Sequence, residues 1–238
     1  MRLLGLRSPG DATDAALDLL DAETLLTDVA AGQRCVAVTL GHAAQVKPAA
    51  LLALDVRIAQ FAAAGMYTLL RFEARLWLHG HHLRLARRHA QSPAVLYALL
   101  GRKPLATKLW AASEAVHHVH PRALVWLPLE SAQAALAASA GPRSNMGWLW
   151  DAARPQGPHT TALVGGLRQP VLLDGWSPSP HNPMAHDRLM SLCREGGIGW
   201  LARGTGPWQT RERGAPVLSR AARVLQRAVH LSGFGASA

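Results

Sequence analysis

The sequence predicts an α/β fold: a (β/α)8 TIM barrel, compact with short loops. Three observations carry the prediction. Short apolar runs rich in β-branched residues alternate with longer runs of helical period. Roughly eight such pairs fit into the 238 residues, somewhat few for the fold. Strict alternation of this kind implies parallel strands covered by helices. An open doubly wound sheet is the alternative, but no G-x-G-x-x-G or P-loop follows any strand, so nothing points to a nucleotide site. No internal repeat or low-complexity linker interrupts the pattern, and residues 1–238 read as a single domain.

The first strand is expected at Arg2–Leu6, and "AETLLTDVAAG" reads as a helix ending at Gly32. "CVAVTLG", Cys35–Gly41, is a buried strand by its β-branched content. A helix then starts with Pro48 in its first turn and ends at Gly65. Met66–Glu73 is a strand, and "LWLHGHHLRLARRHA" reads as one helix with a basic outer face. "AVLYALL" is the next strand, followed by a helix that Pro121 stops and a strand at Ala123–Leu129. "ESAQAALAASAG" is a candidate short helix, and Gly141–His159 reads as a loop carrying Trp148 and Trp150. "TTALVGG" is a candidate strand and Pro170–Trp176 a clear one. "MAHDRLMSLCREGG" reads as a helix, "IGWLARG" as a strand, and "APVLSRAARVLQRAVHL" as a last amphipathic helix.

Hydrophobic residues make up 49% of the chain, enough for a sizeable core. Lys and Arg number 25 against 15 acids, a formal charge of +10 that favours anionic partners. High-GC codon use would produce the same excess of Arg. No DNA- or RNA-binding motif accompanies the charge, so a protein or glycan partner is expected rather than nucleic acid. Cys35 and Cys193 are read as buried free thiols. The N-terminus lacks the apolar run of a signal peptide, and no stretch approaches the length of a membrane span. A cytoplasmic protein is the expectation. On the last helix, Arg220, Arg223 and Arg227 lie off the stripe of Val217, Ala221, Val224, Ala228 and Leu231. That is a solvated helix face or a peripheral membrane contact.

Two histidine clusters invite a metal reading: His79, His81 and His82, and His117, His118 and His120. No acid or Cys stands at a helical step that would close a tetrahedral site, so no metal is expected, and no cofactor motif is present. Trp77, Trp110 and Trp126 are expected at barrel–helix packing, whereas Trp148, Trp150, Trp176 and Trp208 fall in loops or at strand ends, where indoles offer a candidate binding surface.

Several segments resemble the retaining β-glycosidases of glycoside hydrolase family 5, the cellulase-like barrels. "LLALDVRIAQFAAAGMYTLLRFE" is similar to the family's second helix and third strand, and "LARRHAQSPAVLYALLGRKP" to its third helix and fourth strand. "AASEAVHHVHPRALVWLPL" is similar to the next helix and fifth strand, and "RQPVLLDGW" and "LCREGGIGWLARG" to the seventh and eighth strands. The resemblance covers Leu25–Gly204 and implies an active site at the C-terminal strand ends, worked by two carboxylates about 5–5.5 Å apart.

The family's fourth strand ends in Asn-Glu-Pro; here the acid/base position falls on Arg102 or Lys103. A guanidinium cannot donate a proton at useful pH. The nucleophile position falls near Asp174 or Gly175. The arginine expected on strand two falls on Ala37, the strand-three histidine on Glu73, and the strand-eight tryptophan near Arg203, with Trp200 three residues earlier. These departures imply a degenerate member lacking the catalytic glutamates, with a mouth lined by Arg102, Lys103, Trp148, Trp176, Trp200 and Arg203. Asp174 either pairs with Arg102 across that mouth or caps a turn. Glu73 pairs with Arg71 or Arg75, or faces the mouth. The expected function is binding or scaffolding, in a bacterial polysaccharide system. The alternatives are an active hydrolase with a rewired pair, Asp174 with Glu130 or Glu73, and a basic interaction module with no sugar role.

Overall fold

A computed structural model of the chain describes residues 4–7, 35–41, 46–101, 105–131, 145–151, 169–176 and 199–203. Eight parallel strands close into a barrel in sequence order. They are β1 (Leu4–Arg7), β2 (Cys35–Leu40), β3 (Tyr67–Phe72), β4 (Val95–Leu99), β5 (Val125–Pro128), β6 (Met146–Asp151), β7 (Val171–Trp176) and β8 (Gly199–Arg203). Hydrogen bonding from β1 to β8 closes the ring. The described helices are α1 (Pro48–Ala63), α2 (Ala74–Leu78), α3 (His81–Arg88) and α4 (Ala106–Val119).

Strand alternation sorts the core into two shells. Val36, Val38, Leu70, Phe72, Tyr97, Leu127 and Leu173 face outward, in the same buried cluster as the α1 stripe Leu51, Leu54, Ile58 and Phe61. Cys35, Ala37, Leu69, Leu96, Ala98, Trp126, Leu149, Leu172 and Leu201 fill the lumen. Both faces are therefore buried, which is why these strands read as continuous apolar runs.

Trp126 belongs to the inner shell, not to the expected barrel–helix interface. It fits because its register partner on β6 is Gly147. A Cβ at Gly147 would stand 2.4 Å from the indole ring, so only glycine leaves room for it.

The stretch expected as one helix from Leu76 to Ala90 is two. Gly80 adopts φ +76, a left-handed conformation that ends α2 and starts α3. Residues 141–159 are also not all loop, since Met146–Asp151 forms β6, with Trp148 and Trp150 buried in the outer shell. The helix expected at 130–141 begins at a 3-10 turn, Leu129–Ser131, and the rest of it, the helices expected at 22–32, 184–197 and 215–231, the strand at 160–166, and Cys193 lie outside the described residues. No described helix is long and apolar enough to cross a membrane.

Candidate functional site

The C-terminal strand ends gather the charged inner residues. β3 continues the inner row of Leu69 with Arg71, which is buried at 2% exposure. β7 continues the inner row of Leu172 with Asp174, buried at 9%. In a closed ring of eight strands these two are diametrically opposed. The Arg71 guanidinium spans the lumen. Nη2 donates to Asp174 Oδ2 at 2.5 Å, and Nη1 donates to Thr39 Oγ1 on β2 at 3.0 Å. A charge this deep is tolerable only when paired and hydrogen-bonded. An arginine thus reaches the β7 carboxylate from β3, although the strand-two position is Ala37.

Of the two positions considered for the nucleophile, Asp174 is the one on the inner row. The register with β8 then shifts between Asp174 and Trp176, so the strand bends at its last residues. Asp174 is the register partner of Asp151, the exposed last residue of β6. Parallel partners project to the same face on strands about 4.8 Å apart, so two acidic residues stand side by side on this edge. Sequence reasoning missed Asp151 because residues 141–159 read as loop. The alternation of Gly147, Leu149 and Asp151 was the available signal.

The remaining candidates are distributed around the fold. Glu73 is exposed and occupies the N-cap position of α2, without a side-chain cap bond. The Arg71 partner suggested for Glu73 is engaged with Asp174 and Thr39. Glu130 is half-buried in a short 3-10 turn, Leu129–Ser131, directly after β5. Trp148 is fully buried in the outer shell and does not line the mouth. Trp200 lies on β8 as the register partner of Leu173. Arg203 shares the register of Arg7, and Arg7 that of the inner residue Ala37. Trp176 ends β7 as the register partner of Ala202. Arg102 and Lys103 lie outside the described residues.

The strand-four end is held in place by α2, whose Trp77 Nε1 donates to the carbonyl of Leu100 at 2.7 Å. The histidines serve the outer shell. His82 is buried against the edge of Phe72, and burial pushes its pKa down to about 4. His120 Nδ1 lies 3.1 Å from the Tyr97 hydroxyl, and burial lowers its pKa. His89, also lowered by burial, lies beside Asp55, which receives a bidentate contact from Arg88. Among the described residues, no three potential metal ligands converge. Burial also pushes the Cys35 thiol up to about 12.

No protein-family model matches the sequence, and no curated protein matches it. Solved structures do match by fold. The catalytic domain of Thermobifida fusca endoglucanase Cel5A superposes with a TM-score of 0.71 at 15% identity, covering 97% of this chain and 92% of that one. The Pyrococcus horikoshii endocellulase bound to cellotetraose gives 0.74 at 11% identity, covering 98% and 93%. The catalytic domain of the major endoglucanase of Xanthomonas campestris gives 0.69 at 15%, covering 98% and 95%. The chain therefore has a glycoside-hydrolase-like TIM-barrel fold, similar over nearly its whole length to cellulase catalytic domains. At these identities the similarity establishes the fold alone.

Proposed function

We propose that this barrel is a catalytically degenerate relative of the cellulase-like glycosidases, acting as a glycan-binding or scaffolding subunit. A cytoplasmic role in bacterial polysaccharide synthesis belongs to the same proposal. The observation that supports it best is the Arg71–Asp174 bridge. The carboxylate nearest to a nucleophile position is buried and held by a guanidinium across the lumen. Retaining hydrolysis also needs a carboxylic acid as proton donor. The segment after β4 offers Arg102 and Lys103 where the similar enzymes carry a glutamate, and no acid occurs from residue 74 to residue 113.

The alternative, a hydrolase with a rewired carboxylate pair, draws support from one feature. Asp151 and Asp174 are neighbours in register. Glu130, directly after β5, and Glu73 remain the other partners for Asp174 in this reading.

Cellohexaose and acidic oligosaccharides incubated with the protein at high concentration, with reducing ends and binding measured in parallel, separate the two. The proposal expects binding without an increase in reducing ends. An increase that Asp174→Asn abolishes would establish the hydrolase instead.

A further inference from the structure

The flank of the barrel built from residues 46–101 is rich in cations. It carries Lys47 and six arginines against two acids, Asp55 and Glu73. Arg71 is engaged inside the lumen by Asp174, and Arg88 on α3 donates to Asp55 on α1 at 2.9 and 2.8 Å. Arg57 bonds Gln60 on its own helix. Arg75, Arg84 and Arg87 are exposed, and no described carboxylate forms an ion pair with them, the exposed Glu73 before α2 included. On α3 the buried His82, Leu85 and Ala86 set the inward direction, and at helical spacing Arg84 and Arg87 straddle the opposite one. On α4, which packs beside α3, Lys108 and His118 are exposed and Glu114 is half-buried.

α1 departs from the usual pattern of a surface helix. Leu51, Leu54, Ile58 and Phe61 form its buried stripe, and its only charges, Asp55 and Arg57, are half-buried on either side of that stripe. The face turned away from the core holds Ala49, Leu52, Ala53, Val56, Ala59 and Ala63, all exposed, with Gln60 the one polar side chain. Helices apolar all round are normally buried. Among the described residues, three large apolar side chains are exposed: Leu52 at 62%, Val56 at 51% and Leu78 at 48%. Two belong to this face, and the third ends α2, just before α3. The Asp55–Arg88 contact holds α1 beside the cationic α3.

The outer helices of a barrel form a convex wall, not the concave pocket that takes a small ligand. The exposed side chains of this wall are aliphatic or cationic, without the exposed aromatics that anchor protein interfaces. An anionic bilayer complements these features, since headgroup phosphates match guanidinium forks and the acyl boundary takes aliphatic side chains. We propose that the α1–α3 flank is a peripheral membrane-binding face, seating Leu52, Val56 and Leu78 in an anionic lipid surface with Arg75, Arg84 and Arg87 on its phosphates. Glu73 opposes one of these charges and leaves the flank net positive. The proposal is independent of what the barrel mouth binds.

The test is co-sedimentation of the full chain with vesicles of phosphatidylcholine alone or with about 30% phosphatidylglycerol. The mixed vesicles should bind at least about tenfold more tightly, and added salt should weaken that binding. Arg84→Gln with Arg87→Gln should lower the partition about tenfold or more. Leu52→Gln with Val56→Gln should lower it by a similar factor without changing the charge. Lys108→Gln with Arg122→Gln, which removes the same charge from α4 and the turn after it, should change it less than about twofold.

Binding to neither vesicle, or to both equally, overturns the proposal. A loss in the Lys108 and Arg122 variant as large as in the Arg84 and Arg87 variant reduces the effect to net charge and overturns it. Full binding by the Leu52 and Val56 variant shows that the apolar face is not seated and also overturns it. A doubled mass by light scattering without lipid, abolished by the same two substitutions, assigns the face to a second copy of the chain instead. The substituted side chains are exposed, so the variants should fold, which circular dichroism checks. The lipid ranking and salt dependence of the wild type decide without them.

Discussion

Arg71 and Asp174 lie 103 residues apart in sequence and on opposite strands of the ring, yet their side chains meet inside the barrel at 2.5 Å. The bridge spans the lumen, whose inner shell includes Leu69, Ala98 and Trp126. It ties strands that share no hydrogen bonds, and it commits the one inner carboxylate of β7. Fold and site thus depend on the same contact, so changes to it should register in stability as well as in chemistry.

Breaking the pair from one side leaves a buried charge uncompensated. Arg71→Met should destabilise by about 3–5 kcal/mol, and Asp174→Leu by a similar amount. The double variant should be less destabilised than the sum of the singles, since it removes both charges together. Urea unfolding of all four proteins measures the coupling.

The Trp126–Gly147 contact gives a steric prediction. Gly147→Ala forces the indole or the β6 backbone to move and should cost about 1–3 kcal/mol. Trp126→Leu combined with Gly147→Ala should recover most of the cost due to the clash, because the shorter side chain vacates that volume. Chemical denaturation of the single and double variants decides this.

His82 makes stability depend on pH in a defined direction. Its pKa is about 4 in the folded protein because burial disfavours the cation, whereas an unfolded histidine titrates near about 6.5. Between those values the unfolded chain binds more protons than the native one, so stability rises with pH. Acidification from neutrality should remove roughly 2–3 kcal/mol on this account, with the loss complete below about pH 4. His89 and His120 are shifted the same way and add to the slope. The contribution of His82 is therefore the difference between wild type and His82→Phe, whose profile should be flatter across this window.

Cys35 lines the lumen, and its thiol pKa stands near 12. Burial therefore keeps the thiol protonated well above neutral pH. In a Cys193→Ser background, Ellman's reagent should not label the native protein over hours but should label it at once in denaturant.

The barrel was legible because its strands are buried on both faces, so β2, β3, β4 and β7 stand out as apolar runs. β6 was not legible. Gly147 interrupts its propensity, and the reason for that glycine, the Trp126 ring, sits on another strand. Without β6, the sequence gives no reason to place Asp151 at a strand end, and it puts Trp148 at the mouth although that indole packs in the outer shell. Gly80 was likewise hidden inside an otherwise helical period. The partner of Asp174 could not be read from spacing, because ring closure alone brings β3 opposite β7. Arg102 stands next to a strand end in the sequence, yet Arg71, inside an apolar run, is the residue that reaches Asp174.

The most direct measurement asks whether Asp174 can act as a nucleophile. The protein is incubated with an activated 2-deoxy-2-fluoro cellobioside, which traps the covalent glycosyl intermediate of retaining enzymes, and its intact mass is read. The account predicts an unchanged mass, with Asp174 held by Arg71. A mass increase of one glycosyl unit mapping to Asp174 would contradict it and make this chain a working hydrolase.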